Sequence, residues 1–283
     1  MKNYLLAITV MCCGLNTLFA QDDLLLELEA ETQEEPYEQP AFKAMKIGNL
    51  QSTKVASKGD LYMYVSHRFG TLKDGLTTFF GFDNANTKIQ LVYGVHDGIQ
   101  LGLARESIRK TYSSHIKAKL IGQSKEFPVH VVAYATANIR TDLRQEQYPL
   151  LEFGDRMSYA TQLLISRRFS NTFSFEIAPT FVRQNLVLEP FQKHNQIALG
   201  AGGRMKVSKR MSVNVDYVYN FSRNENSIYN NPLTFGLDIE TGGHVFQLLF
   251  SNAQSTNEPG FISNAEGKWF EDVFFGFNIV RVF

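Results

Sequence analysis

Nine charged residues stand where they could meet inside one enclosed space: Lys88, Lys117, Lys119, Arg204 and Lys206, with Glu176, Asp216, Asp238 and Glu240. Each falls on the polar side of a stretch whose alternate residues are apolar, the pattern of a strand with one apolar and one wet face. Five bases against four acids, with Ser, Thr, Asn and Gln among them, suit a hydrated lumen that is a small polar pore or solute-binding space of weak charge selectivity. Taken singly, each suits a structural pairing across a narrow interior, because an unpaired charge between low-dielectric walls is costly.

Other chemistries are less well supplied. Nucleophilic catalysis needs a hydroxyl with a base within hydrogen-bond reach. The six histidines are His67, His96, His115, His130, His194 and His244, and none stands in a His-x-Ser strand arrangement. Ser113 and His115 share an inward face, with His130 expected on the next strand, but beside Lys117 they read as lumen filling, so no catalytic residue is assigned. There is no His-x-His and no His-Glu-x-x-His, and Asp238 and Glu240 near His244 fall short of a ligand set, so neither a metal nor a cofactor is expected. Gly200-Ala201-Gly202-Gly203 lies within a strand pattern, where small residues let a strand bend or a bulky neighbour fit. A secreted chain without a basic stripe gives no footprint for nucleic acid.

These residues need strands to hold them. Phe173, Phe175, Ile177, Pro179 and Phe181 alternate with Ser174, Glu176, Ala178 and Thr180, and runs from Met211 and Leu233 repeat the pattern. Twelve such strands are expected, near 60–69, 87–95, 98–105, 110–121, 127–138, 156–168, 172–183, 195–207, 210–221, 232–241, 243–251 and 271–283. Their lengths suit tilted bilayer-spanning strands. Tight turns at 96–98, 122–126, 170–171, 208–209 and 242–243 alternate with longer links at 70–86, 139–155, 184–194, 222–231 and 252–270, with a short one near Glu106. Short turns at one end and long loops at the other predict an all-β, antiparallel up-and-down transmembrane barrel over 59–283, its short side periplasmic. An even strand number places both ends of the sheet on that side. Pro179, which lacks a ladder donor, is expected at a bulge or near the membrane boundary. The competing fold, a soluble sandwich, would bury the phenylalanines between sheets.

The rest of the chain is arranged around that barrel. Lys2, an apolar stretch from Leu5 to Leu15 and Ala20 before Gln21 predict a cleaved signal peptide over 1–20. Both cysteines, Cys12 and Cys13, lie inside it, so no disulfide or thiolate site is expected in the mature chain. Net charge is zero, yet eight acids and no base lie between Asp22 and Glu38. Residues 21–58 are therefore expected as an acidic, largely irregular periplasmic arm. A solvated tail is preferred to a plug, although the arm could dock near Arg204, Lys206, Lys209 and Arg210 or meet a periplasmic partner. Phe275, Phe277, Ile279 and Phe283 form a closing aromatic strand, the kind of signal that barrel-assembly machinery reads before the barrel meets outer-membrane lipids.

Several stretches together resemble an uncharacterised family of Bacteroidota outer-membrane β-barrel proteins, a domain of unknown function. They are Gln21-Asp22-Asp23-Leu24-Leu25, Ser66-His67-Arg68-Phe69-Gly70, Gly81-Phe82-Asp83-Asn84-Ala85, Pro179-Thr180-Phe181-Val182 and Ala198-Leu199-Gly200-Ala201-Gly202-Gly203-Arg204. The strongest are Asn231-Pro232-Leu233, then Asp238-Ile239-Glu240-Thr241-Gly242-Gly243-His244-Val245-Phe246-Gln247, and Phe275 to Phe283. The resemblance implies a barrel in the bacterial outer membrane and brings no activity with it. A narrow channel or small-solute conduit is the first functional expectation. A closed structural or partner-binding barrel is the second, and an integral-membrane enzyme the third.

Overall fold

The computed structural model describes residues 40–241 and 244–283. The expected signal peptide, the acidic run and the turn at 242–243 lie outside the described residues. Among the described residues there are twelve strands: β1 (Leu61–Thr71), β2 (Ala85–His96), β3 (Ile99–Glu106), β4 (Thr111–Ile121), β5 (His130–Arg140) and β6 (Met157–Arg168). They continue as β7 (Phe173–Gln184), β8 (Asn195–Lys206), β9 (Met211–Asn220), β10 (Leu233–Thr241), β11 (His244–Ser251) and β12 (Phe274–Val282). Each lies within three residues of its expected bounds.

Every strand pairs with its chain neighbour, and β12 returns to β1 to close the barrel. The closing seam runs antiparallel from Tyr62–Val282 to Thr71–Phe274, with one irregularity after Arg68. The side-chain faces decide against a sandwich. Along β7 the apolar Phe173, Phe175, Ile177 and Phe181 are exposed, whereas Ser174, Glu176 and Thr180 are buried. The same inversion recurs in β9, where Val213, Val215, Tyr217 and Tyr219 face out and Asn214 and Asp216 face in. An apolar outside with a polar inside suits a sheet whose outer solvent is lipid. At the seam, His67 stacks on Phe277 and Phe69 on Phe275, while Phe82 leans on both Phe69 and Phe275, forming part of an aromatic girdle.

Pro179 sits otherwise than the sequence reading placed it. It lies in the middle of β7, opposite Leu199 of β8. On the β6 side the ladder is interrupted between Gln162–Thr180 and Ile165–Ile177 and then resumes in the same register, so there is no bulge. The missing N–H is absorbed as a local gap in one ladder.

The expected solvated arm also needs correcting over its second half. Residues 41, 42, 44–52 and 56 are buried, and this segment lies inside the barrel. Leu50 and Ile47 rest on the strand glycines. A Cβ at Gly200 would lie 2.9 Å from Leu50 Cδ1, and one at Gly202 would lie 2.7 Å from Ile47 Cδ1. Ala41, Phe42, Ile47 and Leu50 supply apolar area that burial rewards, by roughly 1.5–3 kcal/mol for each large side chain. From the other end, the β11–β12 link folds inward and carries a short helix, α1 (Glu258–Ser263), all six residues of which are buried. Phe42, Ile47 and Leu50 join Phe261 and Ile262 of α1 in one apolar cluster with Val132, Leu164, Val182 and Val218 of the wall.

The packing over Gly202 gives a direct test. Gly202→Val should push Ile47 and its neighbours from the wall while leaving the strands paired. The expected result is faster tryptic cleavage at the buried Lys46 with an unchanged heat-modifiable gel mobility. Equal cleavage in the variant and the parent would show that the glycines do not seat the segment.

Candidate functional site

The inserted segment makes a tight turn within the lumen. Ile47 N–H donates to Leu50 O at 2.9 Å and Ser52 N–H to Met45 O at 3.0 Å, with Lys46 and Gln51 bridged. The turn tip at Gly48-Asn49 reaches one side of the wall. Asn49 N–H donates to Asp216 Oδ2 at 3.0 Å, and its side-chain amide donates to Thr234 and Ser251. Arg68 closes this corner by donating to Asn49 Oδ1 at 2.8 Å and to Asn278 Oδ1 at 3.0 Å.

Side chains of β4, β7 and β11 hold the two legs. Lys117 Nζ donates to the carbonyls of Ser52 at 3.0 Å, Lys54 at 3.2 Å and Met45 at 3.4 Å. Glu176 Oε2 accepts from Thr53 N–H at 2.9 Å. One lysine thus serves three carbonyls of an irregular segment; Met45 O also accepts from Ser52 N–H, whereas those of Ser52 and Lys54 would otherwise lack partners. Gln247 Nε2 serves the other leg through the carbonyls of Lys46 and Ile47, both at 3.1 Å.

The loop that carries α1 is tied down at the far end of the lumen. Glu106 accepts from Thr256 N–H at 2.6 Å, from Asn86 at 2.6 Å and from the Asn257 amide. Asn257 in turn caps α1 by accepting from Gly260 N–H at 2.8 Å. Arg223 donates to the carbonyls of Ile262 at 2.7 Å and Ser263 at 3.4 Å, where the end of a helix leaves carbonyls open. The two inserted pieces then meet. Lys46 Nζ donates to Thr256 O at 3.0 Å, and Gln51 Nε2 donates to Glu258 Oε1 at 2.8 Å.

Seven of the nine expected lumen charges take part in this interior. Lys88, Lys117, Glu176, Arg204, Asp216 and Asp238 are buried, and Glu240 is partly so. Lys119 and Lys206 have the inward parity but fall at the turn ends of β4 and β8; Lys119 is exposed and Lys206 half-buried. The expected pairing of wall charge with wall charge holds for Arg204 with Glu240, which Lys43 also meets at 2.8 Å. Lys117, Glu176 and Asp216 are spent on the inserted segment, and Asp238 accepts from Gln247 at 2.9 Å. Lys88 stands in register with Glu106 across β2 and β3.

Sequence reasoning missed Lys46, Asn49, Arg68, Glu106 and Glu258. Arg68 had a usable signal, since Tyr64, Ser66 and Arg68 share the inward parity of β1. Asn49 and Glu258 had none, because irregular segments carry no period. Ser113 and His115 do face inward and are buried, but the Ser113 hydroxyl donates to Asn138 Oδ1 at 2.6 Å. His115 instead packs 5.5 Å from the Tyr134 ring, and His130 Nδ1 accepts from Gln123 N–H. Among the described residues no three His, Cys, Asp or Glu converge as a metal site.

A family model described as a membrane bound beta barrel domain (DUF5777) matches residues 42–283. No curated protein matches the chain in sequence. Among solved structures, the chain is similar to the KdgM porin at 8% identity and a TM-score of 0.48, over 78% of this chain and 99% of that one. The NanC porin gives 8% and 0.49, over 78% and 98%. An outer-membrane channel from Pseudomonas putida F1 gives 10% and 0.42, over 82% and 98%. The chain belongs to the DUF5777 family of membrane-bound β-barrels. A closed antiparallel barrel with an apolar exterior and a polar interior has its place in the bacterial outer membrane.

The Lys117 contacts set a quantitative expectation. Lys117→Met should leave the Ser52 and Lys54 carbonyls unpaired and the Glu176 charge without the Lys117 cation, loosening the inserted segment by about 3 kcal/mol. Hydrogen exchange at amides of residues 45–54 should rise accordingly, whereas Lys119→Met should leave it unchanged. Adding Glu176→Gln to Lys117→Met should restore part of the protection. Equal protection in Lys117→Met and the parent would remove Lys117 as the anchor.

Proposed function

We propose that the chain is a non-enzymatic outer-membrane conduit for small polar solutes, held shut by its own residues 41–56 and by the loop 252–266. The observation that carries this reading is how the lumen is filled. The wall beneath the inserted pieces is polar, with Ser66, Gln90, Gln100, Asn138, Thr234 and Gln247 all facing in. A barrel built to stay closed gains more from apolar filling, since each buried polar group must be matched to avoid a penalty. Here Glu176 Oε1 and Asp216 Oδ1 are buried without a hydrogen-bond partner. Such a wall is better satisfied by water than by the segment that covers it. Lys43 meets Glu240 at the turn end of β10, and Lys58 N–H lies 3.4 Å from Asp97 in the β2–β3 turn, so both ends of the segment reach the terminal end of the barrel, by which it could leave.

The second reading is a closed scaffold or partner-binding barrel. The dry cluster of Phe42, Leu50, Phe261 and Ile262 favours it. The Bacteroidota affiliation implied by the motifs belongs to our reading, as do the assembly-signal role of Phe275, Phe277, Ile279 and Phe283 and a periplasmic contact for the acidic run.

Planar-bilayer recording separates the two. The intact protein should show rare or no steps. A variant with 41–56 replaced by a Gly-Ser linker of equal length, alone or with Glu106→Ala to free the loop, should show stepwise conductance. If both variants keep their heat-modifiable mobility and neither conducts, the barrel is a closed scaffold.

A further inference from the structure

The two inserted pieces come from opposite ends of the barrel, and where they meet neither is satisfied alone. Lys46 is 3% exposed, and among the described residues Thr256 O is the one hydrogen-bond acceptor for its Nζ. The wall cations Lys88 and Arg68 repel that ammonium, whereas Glu258 of α1 and Glu106, which anchors the loop, attract it. Gln51 Nε2 also turns to the other piece, donating to Glu258 Oε1. The apolar side is shared in the same way, since Phe42, Ile47 and Leu50 cluster with Phe261 and Ile262.

Removing either piece therefore strands the other. Without α1, a buried ammonium would face two cations and lack its acceptor; without the segment, the buried Glu258 carboxylate would lose Lys46 and Gln51. Uncompensated buried charge is costly, so states with one piece in and one out are disfavoured against both in or both out. The two ends of this lock are separately reachable. At the turn end, Lys43 pairs with Glu240 and is half exposed. At the loop end, Glu266 and Lys268 are exposed, and Pro259 and Gly260 border a cavity of about 60 Å³ into which α1 can shift.

We propose that the barrel is a relay across the outer membrane: displacement of the 252–266 loop at the cell surface releases residues 41–56 toward the periplasm. The two-state element is the pair of inserted pieces, and a bias applied at either end moves both. This goes beyond conduction and rests on the conduit reading at one point, that release of both pieces opens the lumen. The coupling itself is read without any current.

The test is hydrogen exchange on the full chain in detergent. Arg223 donates to the carbonyls of Ile262 and Ser263, and its described contacts include no residue of 41–56. Arg223→Met should nevertheless speed exchange of the amides of residues 45–54 about tenfold. Asn257→Ala, which removes the cap of α1, should do the same. In the reverse direction, Gly202→Val acts on Ile47 and should speed exchange at the Phe261 and Asn264 amides, bonded at 2.9 and 3.0 Å within α1. With Lys46→Met and Gln51→Leu already in place, Arg223→Met should no longer change residues 45–54. Arg183→Gln, at the loop end but bonded to Asn185 and Asn195, should change neither piece. Replacing 256–263 by a Gly-Ser linker of equal length removes the partner outright and should speed exchange at 45–54 further. Unchanged exchange there in the linker variant, or in both point variants once α1 has loosened, overturns the relay. So does an equal rise in Arg183→Gln. Coupled exchange without conductance in the opened variants leaves the relay standing and removes the conduit; conductance without coupled exchange does the reverse.

Discussion

In hydrocarbon a peptide N–H or C=O has no solvent to bond, so each must find its partner within the protein. For strands this requires a closed ring, and the pairing of β1 with β12 supplies the closure. Much else in the molecule follows from that ring. Successive residues must alternate between lipid and lumen, which turns the apolar faces of β7 and β9 outward and brings their Glu176 and Asp216 inside. The ring tolerates one lost donor at Pro179 because the strands on either side keep their register through the gap.

Twelve strands enclose more space than short polar side chains can fill, since barrel diameter grows with strand number. This chain fills the space with itself. From the terminal end comes a turn whose backbone is served by Lys117, Gln247, Asp216 and Glu176. From the loop end comes α1, clamped by Glu106 and by Arg223. An irregular segment carries its backbone donors and acceptors unspent, and a wall of charged and amide side chains is what such a segment needs. The inward charges that would be costly alone become ligands for the chain.

The filling mixes two kinds of contact with different consequences. Apolar packing of Leu50 and Ile47 over the β8 glycines is local and specific. Two of the polar contacts leave a carboxylate oxygen without a partner, at Glu176 and at Asp216. A half-satisfied network in low dielectric is costly, and water entering the lumen would relieve that cost. The balance between these contacts decides whether the barrel stays closed.

The strands, their faces and the alternation of turns with loops were legible in the sequence, because a period of two and turn residues are local signals. Inward parity identified Lys88, Lys117, Glu176, Arg204, Asp216 and Asp238 as lumen residues for the same reason. Parity says nothing about depth, which is why Lys119 and Lys206 were placed inside although they stand at the turn ends. What the charges bind was decided only by the tertiary structure. Residues 41–56 have no period, and the acidic run beside them suggested solvent; their burial depends on a cavity that exists once twelve distant strands have closed. The small residues at Gly200 and Gly202 were visible as room for a bulky neighbour. That the neighbours are Leu50 and Ile47, more than a hundred residues away along the chain, is a property of the closed ring and cannot be read from any local stretch.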